Sequence, residues 1–372
     1  MKSIIKISLL LILVLTLNSC NQLLRNVSEK KTSTSETLFK KLQRINPKGI
    51  MFGHQDDLAY GVGWKYNGGD SISSDVEKAV GQFPAVLGWD IGKIGGPLNI
   101  DGVPFEHIKK LIIKGDSMGA INTVSWHLFL FNDSISAWNT KNRIVETLLP
   151  GGVNHQELVN QLDNVAAFFK ELKNAKGDPI PIIFRPWHEM DGKWFWWGEN
   201  YCTKEQFKEL FVFTVDYLKE KKGLNNLLIA YSPDRNFHSE EEYLRFYPGD
   251  AYIDILGIDD YYDFKEGEVG IDAIVNKLNI VVDVASKKNK IPALTETGSD
   301  KLEDPKWFTE KLLKVLDSSN LMSKLSYVLV WRNTDVNHFY VPYLEHPSIL
   351  DFQNFTKNSQ VLLLDDVNKI LK

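Results

Sequence analysis

Cysteine is almost absent: Cys20 and Cys202 are the 2 thiols of a 372-residue chain. No disulfide framework can hold the fold, so a hydrophobic core must. An excess of charge of one sign is missing too. Lys and Arg number 43 against 48 Asp and Glu, with no basic stripe or nucleic-acid motif, which excludes nucleic acid as the expected partner. No glycine-rich phosphate loop follows the first strand-like run, so the doubly wound nucleotide folds lose their main signature. Residues 38–372 contain no internal repeat, low-complexity block or interdomain linker. The long apolar run from Ile7 to Leu17 is too short to span a bilayer.

That run has the length of a signal-peptide core, with Lys2 and Lys6 at its start. It ends in Leu17-Asn18-Ser19-Cys20, which resembles the lipobox of bacterial lipoproteins, where cleavage leaves the Cys to be acylated. The resemblance implies a signal peptide over 1–19, a lipidated Cys20 and a tether over 20–37, rich in Ser, Thr, Lys and Asn. A plain secretory leader is the alternative. No acidic cluster follows Cys20, so an envelope anchor on the outer membrane, facing the periplasm, is expected.

From residue 38 onward, runs of strand composition alternate with helical periods. The strand candidates are 50–53, 85–89, 120–126, 181–185, 227–231, 253–258, 292–295 and 327–331. Helical patterns lie near 73–81, 104–116, 155–175, 204–222, 239–246, 271–289, 306–318 and 362–371. Repeated βα units of this number favour a single (β/α)8 barrel domain over 38–372. Polar residues gather after the strands: His54-Gln55-Asp56-Asp57, Asp90, His127, His188-Glu189, Ser232 to Arg235, Asp259 to Tyr262, Glu296 and Arg332-Asn333. Strand C-termini converge on one barrel face, so these groups are expected at one mouth. Any one of them alone, such as Asp90, could be a helix cap or a solvated charge.

Two stretches carry the chemistry. In Arg185-Pro186-Trp187-His188-Glu189, followed by Trp194-Phe195-Trp196-Trp197-Gly198, a carboxyl sits among indoles. Crowding by aromatic surface disfavours its charged form, which makes Glu189 a candidate general acid. Indole faces also suit the apolar faces of sugar rings. In Leu294-Thr295-Glu296-Thr297-Gly298, Glu296 closes the seventh strand, across the mouth from the fourth. Two such carboxyls can flank one glycosidic bond, as acid and as nucleophile. Tyr261 or Tyr262, and Arg332, are available to hydrogen-bond Glu296. His54, His127 and His188 could suggest a metal site, but no paired His-x-His follows the first strand and two glutamates suffice. No metal or cofactor is expected.

These stretches, with Phe52-Gly53-His54-Gln55, Ser125-Trp126-His127 and Trp331-Arg332-Asn333, resemble glycoside hydrolase family 26. The resemblance covers about 38–372 and implies a (β/α)8 retaining glycosidase, mainly of β-mannan or mannooligosaccharides, expected as a monomer. By it, Glu189 matches the acid/base, Glu296 the nucleophile and Tyr261 the tyrosine on that nucleophile. His188, Trp194, Trp331 and Arg332 match residues around the cleaved sugar, with His127, Arg185 and Asp259 as neighbours. His188 stands where most of the wider clan has Asn. Mixed-linkage β-glucan and β-1,3-xylan are alternative substrates, and a non-catalytic glycan-binding lipoprotein is the alternative of another class.

Overall fold

The computed structural model describes residues 33–372. The signal peptide, Cys20 and most of the expected tether lie outside the described residues.

Eight parallel strands close into a barrel. They are β1 (Ile50–Gln55), β2 (Val86–Asp90), β3 (Ile121–Trp126), β4 (Ile182–Pro186), β5 (Leu227–Tyr231), β6 (Ile255–Asp260), β7 (Ile291–Thr297) and β8 (Tyr327–Val330). Each pairs with the next, and β8 returns to β1 with Met51 opposite Tyr327 and His54 opposite Val330. Every residue of these strands is buried, because helices cover the outside and side chains fill the inside. The observed strands begin and end within two residues of the expected ones. β1, β6 and β7 run on through His54-Gln55, Asp259-Asp260 and Glu296-Thr297, because those polar residues find partners inside the barrel.

One helix starts earlier than the sequence boundary at 38. It spans Thr34–Ile45, and its apolar Leu38, Leu42 and Ile45 recur at i, i+4 and i+7 on one face. Glu36 in the first turn and Arg44 in the last suit the helix dipole, and Pro47 diverts the chain into a 3-10 turn. The apolar face plugs the N-terminal end of the barrel. It packs on Met51, Val86, Ile121, Ile183, Leu228, Ile255 and Ile291, joined by Val367 of the terminal helix Leu364–Leu371. Each leucine buried there contributes about 1.5–3 kcal/mol. A two-strand hairpin (Tyr60–Gly61, Trp64–Lys65) and a helix over Ile349–Thr356 also escaped the periodicity.

Strand alternation carries this pattern upward. Inward residues recur every second position, so above Ile121 come Thr123 and Ser125, above Ile183 comes Arg185, and above Ile255 come Gly257 and Asp259. A polar layer therefore lies directly beneath the mouth.

β7 breaks the alternation. Ile258 pairs with Leu294 but Asp259 pairs with Glu296, and on the other side Val328 pairs with Leu294 but Val330 with Thr297. One extra residue is thus inserted near Thr295, a β-bulge. Ala293 lies in the interior cluster and Leu294 in the outer one, so strict alternation would aim Glu296 outward at the helices. With the bulge, Thr295 and Glu296 both turn inward.

Candidate active site

A cleft of about 360 Å³ opens at the C-terminal end of the barrel, lined by Glu189, Glu296, Tyr261, His127, Trp194 and Trp331. Trp138, Phe195, Lys265, Gly298, Asp300 and Tyr340 complete its walls. The two glutamates reach it from β4 and β7.

Glu189 is held there by unusual backbone. Trp187 and Glu189 both have φ of 55°, a left-handed conformation that costs a non-glycine residue free energy and persists only where surrounding contacts enforce it. Those contacts are present. The Glu189 N–H donates to the Ser232 carbonyl at 2.7 Å, the Trp187 indole N–H donates to Thr214 at 3.1 Å, and that of Trp197 donates to the His188 carbonyl at 2.8 Å. Two residues on, the Asp191 carboxylate accepts the backbone N–H groups of Asp234 at 2.6 Å and Asn236 at 3.0 Å, tying the β4 loop to the β5 loop.

Burial pushes the Glu189 carboxyl well above the usual carboxylate range, and the facing carboxylates of Glu296, Asp259 and Asp234 push it the same way. The Trp194 indole N–H, donating to Glu189 Oε2 at 2.5 Å, pulls in the opposite direction. The net result keeps Glu189 protonated where an ordinary carboxyl would have ionised.

Glu296 has a different set of partners. Tyr261 donates its hydroxyl to Oε1 at 2.7 Å, and the Arg185 guanidinium donates to Oε2. The same guanidinium donates to Asp259, whose other oxygen accepts the hydroxyls of Ser232 at 2.6 Å and Thr295 at 2.7 Å. Burial works against the Arg185 cation, but Asp259 and Glu296 more than offset it and raise its pKa above the usual guanidinium value. A fixed cation and a phenol on one carboxylate hold both of its oxygens in place.

A second chain of bonds holds the imidazoles. Asp90 accepts from Ser125 at 2.7 Å and lies 2.7 Å from His127 Nδ1, so the bonding pattern puts a proton on Nδ1. The His127 Nε2 lies 3.3 Å from His188 Nε2. Burial, Arg185 and His127 push the His188 pKa well below its ordinary value, so His188 is neutral. His54 is engaged elsewhere, with Nδ1 2.7 Å from Asp57.

Several expectations change. Arg332 does not reach Glu296; its Nη1 lies 3.1 Å from Asp101 and its guanidinium sits over the Trp331 ring. Alternation explains it: Trp331 continues the inward series of β8 and the next residue turns away. Arg185, expected only as a neighbour, takes the role that Arg332 was read for. Tyr261 rather than Tyr262 bonds the nucleophile candidate, since Tyr262 is 48% exposed and stacks under Arg235. Of the grouped tryptophans, Trp187, Trp196 and Trp197 are core and only Trp194 faces the cleft. Asp90 is an interior partner of His127, not a helix cap.

The sequence reading missed Trp138, Lys265, Asp300 and Tyr340. Trp138 stacks on His127, with rings 5.0 Å apart and 16° from parallel, but it arrives on a long loop with no periodic signal. Tyr340 packs edge-on against Tyr261 and within 2.4 Å of where a side chain on Gly298 would begin, which explains the glycine after the Glu296 strand.

Comparison with known proteins places this geometry. A family 26 β-mannanase of Bacteroides ovatus superposes with a TM-score of 0.85 at 39% identity, covering 92% of this chain and 98% of that one. A modular endo-β-1,4-mannanase of Cellulomonas fimi gives 0.83 at 34% identity, covering 90% and 77%. The mannan endo-1,4-β-mannosidase of Bifidobacterium adolescentis is 33% identical over 334 residues, 83% of this chain and 32% of the relative. That of Bacillus subtilis is 34% identical over 216 residues, 54% of this chain and 57% of the relative. The chain thus spans between about a third and somewhat over half of these two curated relatives. Residues 27–325 match the model of Glycosyl hydrolase family 26, and with the paired barrel glutamates in place the chain belongs to that family.

Proposed function

We propose that this protein is a retaining glycosidase that cleaves β-1,4-mannosidic bonds in β-mannan or mannooligosaccharides. The observation that carries the reading is the contrast between two glutamates in one cleft: Glu189 held protonated by burial and facing carboxylates, Glu296 met by Arg185 and Tyr261. In the first step a Glu296 oxygen bonds to the anomeric carbon as the glycosidic bond breaks, and the Glu189 proton goes to the departing oxygen. In the second, the Glu189 carboxylate takes a proton from water, the water oxygen bonds to the same carbon, and Glu296 is released. Trp194 and Trp331 offer ring faces to the sugars. The names of the relatives favour mannan over mixed-linkage β-glucan or β-1,3-xylan. A product time course on mannan, mannooligosaccharides, lichenan and β-1,3-xylan, with proton NMR of the first-formed anomer, tests both parts. Preference for lichenan or xylan would replace the substrate, and an inverted anomer would remove the mechanism.

The indole bond to Glu189 gives a pH prediction. Because the Trp194 N–H stabilises the carboxylate, Trp194→Phe should raise the Glu189 pKa further. The high-pH limb of kcat/KM follows loss of that proton, so it should move to higher pH while the low-pH limb stays. A limb that stays put or moves down would show that another group sets it.

We also infer that the protein is exported and anchored through acylated Cys20, facing the periplasm, and acts as a monomer. Support for export and anchoring comes from the lipobox-like Leu17-Asn18-Ser19-Cys20. Cys20→Ala should abolish detergent-phase partitioning of the cell-envelope protein; unchanged partitioning would remove the anchor. Loss of the enzyme on protease treatment of intact cells would place it on the outer surface instead.

A further inference from the structure

Tyr261 can hold Glu296 only while its own backbone stays in place, and that backbone is a turn rather than a strand. β6 ends at Asp260, and a 3-10 turn spans Asp263–Lys265. The turn closes through the Asp263 N–H, which donates to Asp260 Oδ1 at 3.1 Å. On the barrel side, the Thr297 hydroxyl donates to the Asp260 carbonyl at 2.6 Å, tying the start of the turn to the residue after Glu296.

The outer side of the turn is held by a buried cation. Among the described residues Lys277 is the one buried lysine, 3% exposed, on the helix Gly267–Lys288. Its Nζ donates to Asp263 Oδ2 and lies 3.9 Å from Asp260 Oδ2, so one ammonium faces both carboxyls that bracket Tyr261 and Tyr262. The other Asp263 oxygen lies 3.4 Å from Arg235 Nη1, and that guanidinium covers the Tyr262 ring at 4.0 Å. A glycine lets the helix come this close. A side chain on Gly270 would begin 1.8 Å from the Asp263 carbonyl oxygen. Taking an ammonium out of water is unfavourable unless carboxylates answer it, and a lysine that merely joined helix to barrel could end at the surface, as Lys287 does beside Glu240. Lys277 is instead buried against the turn that carries the phenol on Glu296.

We propose that Lys277 is a positioning residue for the nucleophile: by holding Asp263 and Asp260 it aims the Tyr261 hydroxyl at Glu296 from behind. It acts through Tyr261 alone. The proposal rests on the reading of Glu296 as nucleophile and extends that reading outward, from carboxylate to phenol to turn to ammonium. Without the ammonium the turn relaxes, the phenol leaves Oε1, and Glu296 keeps only Arg185. Trp194, Trp331 and His127 stand on other elements of the cleft, so the loss falls on kcat more than on KM.

The test is a double-mutant cycle on the purified protein with mannooligosaccharides. Lys277→Met should lower kcat about tenfold with KM within about twofold of wild type, and Tyr261→Phe should lower kcat by at least as much. In the double variant the losses should not multiply: its kcat should match that of Tyr261→Phe, because a relaxed turn then has no phenol to misplace. Lys287→Met, exposed on the same helix, should keep the wild-type kcat. A purely structural lysine would lower thermal stability and leave the kcat of folded protein unchanged, or give losses that multiply; either result overturns the proposal. So does a wild-type kcat in Tyr261→Phe, or an equal loss in Lys287→Met. Should Lys277→Met not fold, Lys277→Met with Asp263→Asn carries the same cycle, since burial and then Asp263 push the Asp260 carboxyl up to about 8 and it needs no cation near neutrality. Glu296→Ala separates the two readings. Activity retained there removes the nucleophile assignment, whereas an inert Glu296→Ala beside multiplying losses removes only the role of Lys277.

Discussion

Glu296→Ala is expected to lower turnover of mannooligosaccharides on the order of 10⁵-fold or more, since covalent catalysis fails when its nucleophile is removed. An activated aryl mannoside should fare no better, because leaving-group assistance does not replace the attacking oxygen. Glu189→Ala should behave differently. On an unactivated substrate the loss of general acid catalysis should cost about 10²- to 10⁴-fold, yet an aryl mannoside with a good leaving group needs little protonation. It should still form the glycosyl-enzyme and show a burst followed by slow turnover. Added azide should then speed turnover and appear as a β-mannosyl azide, because the small anion needs no base to attack. Azide rescue of Glu296→Ala to an α-azide, with Glu189→Ala inert toward activated substrates, would exchange the two roles.

Arg185→Met should damage stability and rate together. Arg185 is inside the barrel and bonds both Asp259 and Glu296, so its removal leaves buried carboxylates without their cation. Breaking a buried charge pair from one side costs about 3–5 kcal/mol, measurable by urea unfolding. kcat should fall because Glu296 loses one of its two donors and its fixed position beneath the sugar. Arg185→Lys should recover only part of either loss, since a point ammonium cannot span both carboxylates as a planar fork does. Adding Asp259→Asn to Arg185→Met should return some stability and little activity. A stability change under about 1 kcal/mol with near-normal kcat would show that the network is not what holds Glu296.

The strands, their order and the two glutamates were legible in the sequence because each rests on local pattern. Apolar runs ending in charged residues mark barrel strands, and a carboxyl among tryptophans announces its own desolvation. What stayed hidden depends on register or on long-range packing. The bulge near Thr295 shows only in how β7 pairs with β6 and β8, so neither composition nor spacing reveals why Glu296 turns inward. Arg185 could have been distinguished from Arg332 by counting alternate positions from Ile183 and Trp331. Leu38, Leu42 and Ile45 carried a helical period that the polar composition upstream of them obscured. Trp138 and Tyr340 reach the cleft from loops, where sequence spacing says nothing about direction.

The pairing of Met51 with Tyr327 that closes the ring also sets a timetable for synthesis. β1 can pair with β2 soon after both leave the ribosome, but its other edge has no barrel partner until residues beyond 330 have been made. At roughly 5–20 residues per second the interval from Asp90 to Val330 is about 12–48 s. Through it the nascent sheet carries an open edge, the kind of surface on which chains aggregate. Nascent chains that stall before Tyr327 should therefore depend on chaperones far more than chains that stall after Val330, and the ring should gain protease resistance in one late step rather than strand by strand.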